Sequence, residues 1–170
     1  MDDTRKTKQL GDTTATVSRM ELRTERVRVL AKPDPHSVVI GASVADALRA
    51  MRAGHGDAVL VCDGDRLAGI LTERDVLARI LGQGVDPSRP VVEFMTANPD
   101  SLPPEATLMD AMRAMERGRY RNLPLIDEGG NLVGLLRQQD VLEYVAEAFP
   151  QEILNLPPRP HQLMEEPEGA

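Results

Sequence analysis

Two short runs carry the residues best suited to holding a small polar molecule. Gly69-Ile-Leu-Thr-Glu-Arg-Asp75 and Gly134-Leu-Leu-Arg-Gln-Gln-Asp140 each set an aspartate six residues after a glycine. An ionised carboxylate in the first turn of a helix can accept two hydrogen bonds from the closely spaced hydroxyls of a cis diol. Thr72 adds a hydroxyl at a helix start, where unpaired backbone N–H groups favour an anion. The glycine lets the backbone approach a sugar closely. Plainer roles fit the same residues. Asp75 and Asp140 suit the first turn of any helix, Thr72 is a good N-cap, and Arg137 is placed to pair with Asp140 and close that cleft.

The elements that must position these groups occur twice. Ser43-Val-Ala-Asp-Ala-Leu-Arg-Ala-Met51 returns as Thr107-Leu-Met-Asp-Ala-Met-Arg-Ala-Met115, 64 residues later, and Leu67–Leu77 returns as Leu132–Leu142 at a shift of 65. The extra residue falls in Glu128-Gly-Gly-Asn131, a turn that tolerates insertion. Each copy reads alike. Ser43 or Thr107 caps a helix with one apolar face, Val44, Ala47, Leu48 and Met51 or Leu108, Ala111, Met112 and Met115, and Gly54 or Gly118 ends it. Ala58–Cys62 and Leu123–Ile126 read as buried strands, Leu67–Leu71 and Leu132–Leu136 as their returning partners, and a second helix starts near Thr72 or Arg137. Val38–Ile40 and Ser101-Leu102 read as short leading strands. The fold expected is α+β, a tandem β-α-β-β-α repeat packed sheet to sheet about a pseudo-two-fold axis. Its boundaries are a flexible arm over 1–22, repeats over 23–84 and 85–149, and a proline-rich tail over 150–170. A unit of this size is marginal for burying a core alone, so the two copies are expected to share one.

Composition narrows the function. Among 170 residues only two Tyr and two Phe are aromatic, with no Trp. A ligand base is therefore expected to be held without ring stacking, and single-strand or RNA platforms are disfavoured. A net charge of −7 gives no basic field for nucleic acid. Cys62 alone offers neither a disulfide framework nor a cysteine metal site, and the three His lack metal spacing. The polar start, Met1–Lys8, does not read as a signal peptide, and no apolar run suits a membrane span, so a cytoplasmic protein is expected. No nucleophile elbow, Walker A loop or HExxH motif is present, which points away from an enzyme.

Over about 25–147 the chain resembles the CBS-domain pair, or Bateman module. The resemblance rests on Met95-Thr96, Leu123-Pro-Leu-Ile-Asp127 and the two glycine-to-aspartate runs, although Arg137 stands where that family prefers Ser or Thr. It implies a regulatory module that binds an adenosine nucleotide (AMP, ADP or ATP) between the repeats, needs no other cofactor or metal, assembles as a homodimer and signals to an effector protein. The ligand-binding residues it implies are Val38, Val39, Ala58, Ile70, Thr72, Arg74, Asp75, Leu102, Arg121, Leu123, Leu135, Arg137 and Asp140. Asp75 and Asp140 would hold ribose, aliphatic side chains the adenine, and backbone amides of the leading strand would read its edge. The two clefts differ. Arg121, Arg119 and Arg137 charge the second, whereas the first has Asp57 with only His55 and Arg74, so charge favours the Asp140 cleft while the motif favours Asp75. The alternative is a constitutive interaction module with empty or closed clefts.

Overall fold

A computed structural model describes residues 24–54 and 56–148. The expectations for the arm, the tail and His55 lie outside the described residues. In chain order the elements are β1 (Ser37–Val39), α1 (Val44–Ala53), β2 (Ala58–Asp63), β3 (Arg66–Thr72), α2, β4 (Thr96–Ala97), α3 (Leu108–Gly118), β5 (Asn122–Ile126), β6 (Leu132–Arg137) and α4 (Gln138–Ala148). The helix α2 begins as Glu73–Asp75, widens into a π-helical turn over Val76–Ile80 and tightens into a 3-10 turn at Leu81–Gln83. The α+β class and the repeated plan are those the sequence led to expect.

Local chemistry explains the boundaries. Ser43 and Thr107 each accept from the backbone N–H of the third helical residue, and Asp46 and Asp110 reach back to the N-cap N–H, a capping box at both α1 and α3. Those hydrogen bonds from Ser43 and Thr107 hold both aspartates below the ordinary carboxylate range. Gly54 ends α1 as expected. In α3 the left-handed cap falls instead on Arg119 (φ 55), and Gly118 is the last helical residue. Gly118 is needed for space, because a Cβ there would lie 1.9 Å from the Tyr120 ring. The hairpins β2–β3 and β5–β6 are antiparallel and turn on left-handed glycines, Gly64 (φ 58) and Gly130 (φ 80).

The leading strand of the first copy, β1, pairs in parallel with β2, Val38 opposite Val61. In the second copy it shrinks to one bridge, Leu102 opposite Leu125. Pro103 and Pro104 follow Leu102 and have no N–H to extend the ladder.

Successive residues of β2 face opposite ways, which divides the core into three layers. Val59, Val61 and Leu71 pack on α1 and α2 with Val44, Ala47 and Met51. Leu123, Leu125 and Leu136 pack on α3 and α4 with Leu108, Ala111 and Met115. Ala58, Leu60 and Ile70 meet Leu135 between the two sheets. The copies also exchange their lead-in segments. Val27 is fully buried in the core of the second copy, and Val91, 64 residues later, in that of the first. Val27 N–H donates to Ala106 and Val91 N–H to Ala42 (3.0 and 2.9 Å), while β4 joins β3 and Lys32 bridges to Leu135 of β6. Each unit thus completes its core with a segment of the other, the pseudo-two-fold arrangement in its most direct form. Cys62 is buried and its thiol is pushed up by that burial, as suits a small hydrophobe.

Candidate functional site

The junction of β3 and α2 is where the two copies meet around an open space. A cavity of about 430 Å³ is lined from the first copy by Asp57, Ile70, Thr72, Glu73, Arg74, Asp75 and Arg79. From the second come Thr96, Asn98, Pro99 and Asp100 and the stretch Gly118–Asn122. Its size falls in the range of small-molecule pockets.

Asp75 is the buried carboxylate of this cavity. Its Oδ2 accepts from the Thr72 backbone N–H (3.0 Å) and the Thr72 hydroxyl (2.6 Å), and Thr72 Oγ1 accepts in turn from the Asp75 N–H (3.3 Å). Asp75 and Thr72 therefore do cap the helix. Among the described residues the second oxygen, Oδ1, has only the Arg79 Nε at 3.6 Å, so it keeps acceptor capacity. The π-helical turn after Asp75 carries Arg79, whose Nη1 also donates to the Phe94 carbonyl (3.1 Å). The side chains of Arg74, Arg119 and Arg121 make no ion pair or hydrogen bond among the described residues, and all border the same space. On the far wall the Tyr120 phenol donates to Asp100, which pushes the phenol above its ordinary value. Asn122 Nδ2 donates to Asp57 Oδ1 (3.1 Å), while its own Oδ1 is buried without a partner among the described residues.

Of the expected ligand-binding residues, the structure brings Ile70, Thr72, Arg74, Asp75 and Arg121 to this cavity. The others lie elsewhere. Val38 and Val39 sit on β1, at the sheet edge opposite β4, and Val39 is 67% exposed. The lead-in beside β3 belongs to the second copy, so Thr96–Asp100 replaces the anticipated leading strand. Ala58 and Leu135 are enclosed between the sheets, Leu123 is fully buried against α3, and Leu102 packs on that same core. These side chains pack on the apolar core and line neither the cavity nor the second cleft.

Two further expectations are corrected. Arg119 and Arg121 line the Asp75 cavity, and Arg121 also borders the second cleft, so the positive charge is not reserved for Asp140. The physical reason is the pseudo-axis, which sets the start of β5 against the end of β3. A ring is also available, since Tyr120, one of only four aromatics, stands on the cavity wall.

The corresponding junction of the second copy is built differently. Arg137 Nε donates to both oxygens of Asp140 (3.1 and 2.9 Å), its Nη2 donates to Oδ1, and its backbone N–H to Oδ2 (3.1 Å). The Asp140 contacts hold the guanidinium above its ordinary value. A cleft of about 400 Å³ lies outside this pair, lined by Gly56, Asp57, Arg121, Arg137, Gln138, Gln139 and Leu142, and Asp140 is not on its wall. Among the described residues no group of three His, Cys, Asp or Glu converges on a possible metal position. No helix among them is long and apolar enough to cross a membrane.

A sequence model of the CBS domain matches residues 27–82 and again 91–147. The chain belongs to the CBS-domain family. Among relatives of this CBS pair, the CBS domain-containing protein CBSCBSPB3 of Arabidopsis thaliana is 34% identical over 119 residues, 69% of this chain and 19% of that protein. The chain spans less than a fifth of the length of this relative and of two other curated relatives it matches (19%, 14% and 18%). Among solved structures, a putative signal-transduction protein with CBS domains from Burkholderia ambifaria MC40-6 is 34% identical, with a TM-score of 0.61 over 66% of this chain and 83% of that one. CBSX2 in complex with AMP is 26% identical, with a TM-score of 0.66 over 72% of this chain and 97% of that one. Proteins of this family are generally regulatory. In this CBS pair, giving each cleft the residues of its own copy missed Thr96, Asn98, Asp100 and Tyr120. The available signal was the 64-residue spacing of Val27 and Val91, apolar residues outside either predicted helix or hairpin.

Proposed function

We propose that this CBS pair is a regulatory module that binds an adenosine nucleotide of the AMP, ADP or ATP class in the Asp75 cavity and signals that state to a partner protein. The observation that carries the reading is the meeting of a buried, half-used carboxylate with three guanidiniums that have no partner among the described residues, all in one cavity. Asp75 Oδ1 suits a ribose diol, and Arg74, Arg119 and Arg121 suit a phosphate, for which a guanidinium fork is the best-matched donor. Ile70 and Tyr120 offer walls for a base. The AMP complex of CBSX2, similar over most of both chains, supports the choice of ligand. A melting-temperature panel of AMP, ADP, ATP, cyclic dinucleotides and S-adenosylmethionine tests it. Binding at a hundredfold excess over Kd adds roughly 2.7 kcal/mol of stability. No shift with any nucleotide sinks the reading.

The same proposal includes a homodimer. Leu77 and Leu81 of α2 are 65% and 64% exposed beside a groove lined by Leu48, Met51, Val76 and Leu77. Apolar surface of that kind marks an interaction face. This observation also favours the second reading, a constitutive dimerisation module. Light scattering with and without AMP separates them, since a constitutive module keeps both its mass and its melting point when nucleotide is added.

A further inference from the structure

We infer that Arg137 makes this a one-site protein, its guanidinium standing in the second cleft as a permanent occupant of Asp140. The inference rests on the nucleotide reading above and adds to it the number of sites and the residue that sets that number.

The argument is a comparison of acceptor capacity. A carboxylate offers about four lone-pair positions. At Asp140 three N–H groups of Arg137, the backbone N–H, Nη2 and a bifurcated Nε–H, make four contacts, two to each oxygen. At Asp75 the equivalent residue is Thr72, whose two donors both go to Oδ2, leaving Oδ1 with a single guanidinium nitrogen at 3.6 Å. The Arg137 fork joins opposite charges in a fixed bidentate geometry, whereas a sugar hydroxyl brings no charge of its own, so a sugar does not displace the fork. The pair is also sheltered, with side chains 23% and 12% exposed, which limits screening by salt and water. Arg79 is no such plug on the first side. It is 50% exposed, it shares itself with the Phe94 carbonyl, and it stands too far from Asp75 for a hydrogen bond. Cavity shape agrees: Asp75 lines its cavity, and Asp140 does not line the neighbouring cleft.

Calorimetric titration of the full chain with AMP tests the inference. The expected stoichiometry is one AMP per chain, falling to none in Asp75→Ala and staying at one with unchanged affinity in Asp140→Ala. Arg137→Thr restores the first-copy arrangement and is expected to bind two, and Asp75→Ala/Arg137→Thr is expected to bind one. Arg137→Gln, of similar length but uncharged, serves if the threonine variant does not fold, and its expected gain is likewise a second site. In the NMR spectrum of the wild type the Arg137 Nε–H is expected to stay protected from exchange at saturating AMP. Two sites in the wild type, a tenfold affinity loss in Asp140→Ala, or one site in folded Arg137→Thr and Arg137→Gln would overturn the inference while leaving nucleotide binding intact. Absence of AMP binding by both the wild type and Arg137→Thr removes the functional reading and this inference together.

Discussion

The first helices of the two copies begin alike, whereas the second helices begin in different ways. Ser43 with Asp46 and Thr107 with Asp110 build the same capping box, and in both the aspartate is held below its ordinary pKa by the residue it caps. At the other junction Thr72 caps Asp75 and a π-helical turn follows, but Arg137 seizes Asp140 and α4 runs on as a regular helix. The first junction is a purely structural need in both copies, so both answer it identically. The second opens onto the space between the copies, and there a duplicated fold is free to make one half a pocket and the other a closed pair.

The largest expected effect tests the shared part of this comparison. Leu123 is fully buried against α3, so Leu123→Ala is expected to cost about 2–5 kcal/mol in urea unfolding. Its counterpart Val59→Ala loses less, and neither changes AMP affinity in protein that is still folded. A loss of affinity in folded Leu123→Ala would return that residue to the ligand site. Next come the two aspartates. A hydrogen bond to a charged group is worth about 1.5–3 kcal/mol, so losing the two from a ribose diol in Asp75→Ala is expected to weaken AMP binding on the order of a hundredfold or more, out of calorimetric range. Asp140→Ala lowers the melting temperature instead, because it leaves a sheltered guanidinium unpaired.

The equivalent glycines give a subtler contrast. A Cβ at Gly54 would meet the His36 ring at 2.2 Å, and one at Gly118 the Tyr120 ring at 1.9 Å. Overpacking of about 1–3 kcal/mol is expected from Gly54→Ala and Gly118→Ala alike. Only Gly118→Ala is expected to weaken AMP binding, since Tyr120 is on the cavity wall and His36 is not. The smallest effects belong to the caps, where Ser43→Ala and Thr107→Ala are each expected to cost about 1 kcal/mol in thermal melts. Their acid response has a definite sign. The folded pKa values of Asp46 and Asp110 are depressed, so their contribution is full above the unfolded carboxylate range and is lost as pH falls through the folded values. An acid titration of Asp46→Asn and Asp110→Asn is expected to flatten that slope equally in both.

Most local and periodic features were legible in the chain, though not the left-handed cap at Arg119 or the π-helical turn of α2. The helix N-caps, the glycine turns of both hairpins, the duplication and the α+β order follow from residue types and spacing, because they depend on contacts within a few positions. The pairing of Arg137 with Asp140 was legible for the same reason, three residues being one turn of helix. Family resemblance then named Asp75 and Thr72 as ligand contacts, and the structure sets both on a cavity.

What the chain order hid was which copy supplies which wall. The lead-ins cross over, so Val91 completes the first core, Thr96–Asp100 lies beside β3, and Arg119–Asn122 faces Asp75 from the other repeat. Val38, Ala58 and Leu123 sit in sequence where a ligand contact was expected, yet packing spends them on sheet edge or core. The sequence by itself determined the repeated unit and the chemistry carried at each junction. Tertiary structure alone decided that the two copies share one cavity, because a unit of about 60 residues cannot bury its core unaided and borrows a segment from its twin.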